Sequence, residues 1–97
     1  MVKVYISGAV SNIPEKEYTR KFKCSQLAFE WIGCKVINPV EIPVTHDRSW
    51  KAFMKVDLLA LKDCDTIFMM NCWKGSRGAK IEHWFALRYG KRIIYQP

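Results

Sequence analysis

The stretch Asn71–Gly90, NCWKGSRGAKIEHWFALRYG, decides the fold, because it joins a glycine-spaced polar loop directly to a helix. It follows the apolar run Thr66–Met70, which is bounded by Asp65 and Asn71 and is typical of a buried strand. Where a strand, a glycine loop and a helix N-terminus meet, unpaired backbone N–H groups and the helix dipole point into the junction. The stretch therefore predicts a pocket that accepts an anion.

The helix predicted in this stretch carries a carboxylate on its apolar side. Glu82 shares one helical face with Gly78, Ala79, Phe85, Ala86 and Tyr89. A carboxylate inside an apolar stripe needs a partner or a function, because burial disfavours its charge. An ion pair or a backbone cap explains Glu82 as well as a functional site does.

A second acid, Asp57, has the same kind of position. A helix is expected from about Ser49, a plausible N-cap, to Lys62. Its apolar stripe contains Trp50, Phe53, Met54, Leu58 and Leu61 together with Asp57. Both acidic helices start near one edge of the predicted sheet, which favours a shared functional site.

Short apolar runs and helical patterns alternate along the rest of the chain. In chain order they predict a strand at Val2–Ile6, a helix from about Glu15 to Ile32 closed by Gly33, a strand at Lys35–Ile37 ended by Asn38-Pro39, and a last strand at Arg92–Tyr95. With the helices above, the order is β-α-β-α-β-α-β, and the strands are apolar on both faces. We predict one α/β domain over residues 1–97. Its class is a small Rossmann- or flavodoxin-like three-layer sandwich, with a four-stranded parallel sheet and about three helices.

Ligands bind such sheets beyond the carboxyl ends of the strands. The segments expected there are Tyr5–Gly8, Asn38–Glu41 and Asn71–Gly78. Tyr5 is close enough to this crevice for its hydroxyl to orient one of the carboxylates. Packing of the ring on a helix is the alternative explanation for Tyr5.

The chain is basic, with sixteen Lys and Arg residues against nine Asp and Glu and a net charge of +7. This charge suits a nucleotide, a nucleic acid or another anionic surface, and a merely basic soluble protein explains it equally well. The aromatic residues lie mainly at core-type positions, so nucleic acid is the least favoured partner.

Metal and cofactor sites are not expected. The four cysteines show no CxxC spacing, the two histidines are far apart in sequence, and no GxGxxG follows the first strand. No apolar run approaches the ~18 residues of a membrane span. We expect a reduced cytoplasmic protein that does not contact membranes and whose thiols mostly fill the core.

Five motifs together resemble a known family. They are VYISG in the first strand, F-x2-S-x3-F-x3-G in the first helix, VINPVEI after it, W-x2-FM-x2-DL-x2-L-x2-CD-x-I in the middle, and W-x2-S-x-GA-x2-E-x3-A-x2-YG in the last third. The series covers nearly the entire chain. It resembles the small DUF4406 proteins of the nucleoside 2-deoxyribosyltransferase-like superfamily, which are often phage-encoded.

The resemblance implies an enzyme that cleaves the N-glycosidic bond of nucleosides or nucleotides. Glu82 corresponds to the family's nucleophile, Asp57 to the aspartate that protonates or positions the base, and Tyr5 to the tyrosine that holds the glutamate. The predicted substrate-binding residues, from the resemblance and from the sheet edge, are Ser7, Gly8, Asn38, Trp73, Ser76, Arg77 and Gly78. No metal or organic cofactor is implied.

The chain also departs from the deoxyribosyltransferases. It has no acid near Ser76, and it ends at Pro97, just after the last predicted strand. Ser76 and Arg77 at a helix start suit a 5′-phosphate, with an N-cap and a solvent-facing arginine as the alternative. We therefore expect hydrolysis of a (deoxy)nucleoside 5′-monophosphate. A nucleotide or nucleotide-signal binding protein without turnover, and a deoxyribosyltransferase, are the alternatives.

A homo-oligomer is expected as well. Trp31, Trp84 and Phe85 add more apolar surface than one sheet face covers. Broad aromatic stripes on outer helices often indicate a partner, although a generous monomer core is the alternative.

Overall fold

A computed structural model describes residues 1–97, and in it strands and helices alternate along the chain. The strands are β1 (Lys3–Ser7), β2 (Lys35–Ile37), β3 (Thr66–Met69) and β4 (Arg92–Tyr95). The α-helices are α1 (Glu15–Trp31), α2 (Trp50–Lys62) and α3 (Arg77–Arg88), with short 3-10 helices at Pro39–Glu41 and Trp73–Gly75. The predicted α/β sandwich is confirmed, and the predicted ends of β1 and β3 shift by a single residue.

The sheet has the order β2-β1-β3-β4, and all of its strands are parallel. Tyr5 in β1 lies opposite Ile37 in β2 and Ile67 in β3. The connection after β1 leads to β2 on one side of the sheet, and the connection after β3 leads to β4 on the other side. A crevice therefore opens beyond the carboxyl ends of β1 and β3. Because side chains alternate along a strand, Tyr5 and Ser7 share one face and Ile6 lies on the other.

The helices cover both faces of the sheet. On the α1 side, Ile6, Phe22 and Met70 form a small buried cluster. On the other side, α2 and α3 pack on the larger cluster, which consists of Tyr5, Leu61, Cys64, Ile67, Met69, Ala79 and Ala86. The face that carries Tyr5 and Ser7 is therefore the face that α3 covers.

The helix ends follow the sequence signals. Gly33 adopts a φ of +91°, and the N–H of Cys34 donates to the carbonyl of Phe29 at 3.0 Å, which closes α1 in a Schellman arrangement. Ser49 caps α2, its Oγ accepting from the Ala52 N–H at 3.1 Å. Ser76 caps α3 in the same way, from the Ala79 N–H at 3.2 Å. These caps fix where α2 and α3 begin, at the mouth of the crevice.

Two expectations about burial are wrong. Tyr89, predicted on the apolar stripe of α3, is 61% exposed, because it follows the last helical residue and its ring lies against Phe85. The thiols do not mostly fill the core, since Cys64 alone is buried while Cys24 is exposed. The other two cysteines are half-buried, Cys34 just before β2 and Cys72 shortly after β3.

The three aromatic residues from which a homo-oligomer was expected differ in their burial. Trp31 on α1 is 90% exposed and Trp84 on α3 is 61% exposed, whereas Phe85 packs against the larger core cluster. The homo-oligomer stays a prediction, which light scattering would test.

None of the helices combines the length and the hydropathy that a membrane span requires. No three His, Cys, Asp or Glu side chains are grouped so as to hold a metal ion.

Candidate active site

Glu82 is the only Asp, Glu, Lys or Arg among the buried residues of the protein. Its side chain is 5% exposed, on the face of α3 that is turned toward the sheet. The Tyr5 hydroxyl donates to Oε2, and the Ser7 hydroxyl donates to Oε1 at 2.6 Å. Both donors come from alternate positions of one strand, so the period of two along β1 aims them at the same carboxylate. The carboxylate is held in one orientation by two hydroxyl groups.

The surroundings of Glu82 raise its pKa. The pKa of Glu82 is raised to about 7, with burial as the largest cause and the nearby Asp57 carboxylate as a smaller one. The hydrogen bonds from Ser7 and Tyr5 act in the opposite direction, but they do not offset the burial. Burial and the Glu82 carboxylate raise the pKa of Tyr5 well above its ordinary value, so the phenol remains a donor at neutral pH. Glu82 can therefore exist in either protonation state near pH 7.

Asp57 is a second acid of the same region. Its side chain is half-buried on α2, and burial raises its pKa to about 6. It takes no part in the ion pairs of the structure, which join Lys21 to Glu17 and Lys23 to Glu41. Desolvated acids with perturbed pKa values and no cation partner are typical of functional sites.

Both acids line one cavity of about 480 Å³ beside the carboxyl end of β1. Its polar wall includes Ser11, Glu15, Arg48, Asp57, Ser76, Arg77, Gly78 and Glu82, and its apolar wall includes Ile6, Val10, Tyr18, Phe22, Val40, Ile42, Val44, Trp50, Phe53 and Met54. The volume falls in the ~300–1,000 Å³ range of small-molecule sites. A mainly apolar wall with a few converging charged groups suits an aromatic ring joined to a polar, anionic part.

Four of the predicted substrate-binding residues contribute to this wall, namely Gly8, Ser76, Arg77 and Gly78. Gly8 also lies against the core, since a Cβ at this position would be 2.2 Å from the Met70 methyl carbon. Ser7 acts on Glu82 and does not line the cavity itself.

The structure places Asn38 and Trp73 outside the cavity wall. Asn38 is buried, where its Oδ1 accepts from the Val40 N–H at 3.0 Å and its amide donates to Gln26 at 3.2 Å. Trp73 packs against His83 of α3, with ring centroids 4.3 Å apart. The side chains of both residues are engaged elsewhere, although their segments end at the predicted sheet edge.

Arg48 and Trp50 belong to the cavity, and the sequence pattern did not single them out as binding residues. The guanidinium of Arg77 lies over the Trp50 ring, 4.2 Å from its centroid, so this pair joins the starts of α2 and α3. A usable signal was present for Arg48. It directly precedes the N-cap of α2, and a helix that starts at a sheet's carboxyl edge brings its preceding residues to that edge.

The comparisons agree with this architecture. The family model described as "Domain of unknown function (DUF4406)" matches residues 2–95. A 2-desoxiribosyltransferase from Leishmania mexicana superposes with a TM-score of 0.76 at 14% identity, over 98% of this chain and 63% of that chain. The CMP N-glycosidase BcmB from Clostridium botulinum superposes with a TM-score of 0.67 at 24% identity, over 96% of this chain and 66% of that chain. The chain thus spans about two-thirds of the length of each. No curated protein matches the sequence.

Proposed function

The chain belongs to the DUF4406 family, and we propose that it is an N-glycosidase that hydrolyses a (deoxy)nucleoside 5′-monophosphate to the free base and a sugar 5-phosphate. The observation that carries the proposal is the position of Glu82 and Asp57 on one cavity, from separate helices. The names of the two similar structures, a deoxyribosyltransferase and a CMP N-glycosidase, support chemistry at an N-glycosidic bond.

In the first step, a Glu82 oxygen attacks the anomeric carbon of the sugar. The bond from that carbon to the base nitrogen breaks as the bond to the carboxylate forms, through an oxocarbenium-like transition state. The leaving base keeps the electron pair of the broken bond and takes a proton from Asp57. Tyr5 and Ser7 hold the carboxylate in position for this attack.

In the second step, water attacks the same carbon and displaces the Glu82 carboxylate. Asp57, ionised by the first step, accepts the proton that the water loses, so both acids return to their starting states. The scheme needs one proton shared between the two acids. Their pKa values of about 6 and about 7 favour a singly protonated pair between these pH values, and the form with the proton on Asp57, the less populated of the two, is the one that reacts.

The start of α3 is the proposed phosphate site. Ser76, Arg77 and Gly78 line the cavity there, and the first N–H groups of a helix favour an anion. The apolar part of the wall, including Phe22, Val40 and Phe53, suits the flat face of a base. The sugar would then lie between these parts, next to Glu82.

Chromatography of the free base tests the proposal directly. The protein is incubated with a panel of ribo- and deoxyribonucleoside 5′-monophosphates, and Glu82→Gln and Glu82→Ala serve as the variants. We expect base release by the wild-type protein and a loss of at least about a thousandfold in both variants. Full activity in Glu82→Ala would reject the role of this residue.

The same assay separates the alternatives. Tight binding with the nucleotide recovered intact would favour a binding protein without turnover. Exchange of the base when a second free base is added would favour a deoxyribosyltransferase, because the sugar-bound intermediate then reacts with a base in place of water.

A further inference from the structure

Arg48 is held in an uncommon backbone conformation at the cavity. Its φ is +65°, and Asn12 is the only other non-glycine residue with a positive φ. Long side chains rarely adopt this left-handed region, whereas asparagine does so more readily. A local contact must therefore hold Arg48 in place.

His46 provides that contact. The backbone N–H of Arg48 donates to His46 Nδ1 at 3.1 Å, and the next N–H, of Ser49, donates to Asp47 Oδ1 at 3.0 Å. The His46 ring packs edge-on against Phe53, with centroids 4.4 Å apart and planes at 88°. Since Phe53 belongs to α2 and lines the cavity, His46 ties the Arg48 turn to the helix that carries Asp57.

The Arg48 side chain lines the cavity without an ion-pair partner. The ion pairs of the structure involve only Lys21, Glu17, Lys23 and Glu41, although Glu15, Asp57 and Glu82 all line the same cavity as Arg48. The other arginine of the cavity lies over the Trp50 ring. An unpaired guanidinium in a fixed turn is suited to an anionic group of a ligand, which it can grip through two parallel hydrogen bonds.

We propose that Arg48 selects substrates that carry a phosphate and that His46 is the residue that positions Arg48. The inference rests on the proposed function and deepens it, because it assigns a phosphate-binding cation to the segment before α2, in addition to the start of α3. His46 can fill this role only while its Nδ1 accepts a hydrogen bond, with any ring proton on Nε2.

Equilibrium binding tests the role of Arg48 without any turnover. Ribose 5-phosphate and 2-deoxyribose 5-phosphate are titrated into the wild-type protein and Arg48→Ala by calorimetry, with an unphosphorylated nucleoside as the comparison ligand. We expect Arg48→Ala to weaken the binding of the sugar phosphates about ten- to hundredfold and that of the nucleoside less than about twofold. Arg20→Ala, which removes an exposed charge of α1 outside the cavity, controls for net charge.

A pair of His46 variants tests the positioning role. His46→Asn keeps an acceptor at the position of Nδ1 and loses the ring, whereas His46→Phe keeps a ring against Phe53 and loses the acceptor. We expect His46→Asn to bind ribose 5-phosphate nearly as the wild type does, and His46→Phe to approach the affinity of Arg48→Ala. If the two variants bind alike, the role of His46 is rejected. Thermal unfolding of each variant confirms that it is folded.

The outcomes also separate this inference from the proposed function. If no nucleotide releases its base but sugar-phosphate binding depends on Arg48, the N-glycosidase proposal fails and the inference stands. If nucleotides are hydrolysed but Arg48→Ala binds the sugar phosphates within twofold of the wild type, the inference fails alone. Wild-type protein that binds neither sugar phosphate also overturns it.

Discussion

The Tyr5 hydroxyl donates a hydrogen bond to the Glu82 carboxylate, although the two residues are 77 positions apart in the sequence. Both side chains are almost completely buried. A buried carboxylate without donors would be strongly destabilising, and this hydroxyl together with that of Ser7 supplies the compensation. The pair links the first strand of the sheet to its last helix.

Removal of this donor should slow catalysis and raise the pKa of Glu82. We expect Tyr5→Phe to lower kcat about ten- to hundredfold, because a hydrogen bond to a charged group is lost. The hydrogen bond lowers the pKa of Glu82, so its loss should raise that pKa and move the alkaline limb of the pH–rate profile, which follows the higher of the two pKa values, to higher pH. Tyr95→Phe is the matched control, because the Tyr95 hydroxyl contacts His83 outside the cavity. An unchanged alkaline limb in Tyr5→Phe would contradict the assignment.

The pH dependence of the stability should reveal the raised pKa of the buried Glu82. The pKa of Glu82 is about 7 in the folded protein against an ordinary value of 4.5, so the folded state binds the extra proton between these values. The free energy of unfolding therefore decreases as the pH rises through this window, by on the order of 3 kcal/mol at most. Urea titrations at several pH values check this, with Glu82→Gln as the non-titrating reference. A constant difference between the two proteins across the window would show that the pKa is not raised.

The rate should depend on pH in a bell shape. The proposed reaction needs Glu82 ionised and Asp57 protonated, which is the less populated singly protonated form because Glu82 has the higher pKa. The population of this form, and with it kcat/KM, should still peak between about 6 and about 7, the pKa values of Asp57 and Glu82. Asp57→Asn cannot donate a proton, so its alkaline limb should disappear. Its remaining limb should report the ionisation of Glu82 alone, with a pKa below the wild-type value of about 7, because the Asp57 charge that raises this pKa is gone. A variant that keeps the alkaline limb would argue against Asp57 as the donor.

Comparison of two serines that cap helices can distinguish a role in helix capping from a role in ligand binding. Ser76 and Ser49 cap α3 and α2 with the same kind of hydrogen bond, at 3.2 Å and 3.1 Å, but only Ser76 lines the cavity. Each alanine variant should lose about 1 kcal/mol of stability. Ser76→Ala alone should also raise KM for a nucleoside 5′-monophosphate, by about fivefold or more if one hydrogen bond to phosphate is lost. Equal KM values in the two variants would show that Ser76 caps α3 but does not bind the phosphate.

A pair of glycines tests the tight contact behind the cavity. Gly8→Ala places a methyl group 2.2 Å from the Met70 methyl carbon and 3.3 Å from Met70 Cβ, whereas a Cβ at Gly75 meets no atom within 4 Å. We expect Gly8→Ala to cost about 1–3 kcal/mol through overpacking, partly relieved because the end of Met70 is flexible. Gly75→Ala should change stability by less than about 0.5 kcal/mol. Thermal unfolding of both variants measures the difference, and equal melting temperatures would show that Met70 moves aside at no cost.

The sequence alone determined the order of strands and helices, the parallel sheet and the apolar faces that carry Glu82 and Asp57. These features depend on periodicity, because the repeat of a helix or a strand decides which side chains share a face. The capping signals at Gly33, Ser49 and Ser76 are also local, so they could be identified from the sequence alone.

Only the tertiary structure decided which loop residues face the cavity. Arg48 reaches it from a left-handed turn held by His46, while Asn38 and Trp73, at equally suitable positions along the chain, are engaged elsewhere. In irregular segments the side-chain direction follows from individual backbone angles and from contacts with distant elements, and no repeat encodes it. The same holds for the hydrogen bond between Tyr5 and Glu82, which exists only because packing of α3 on the sheet brings the two side chains together.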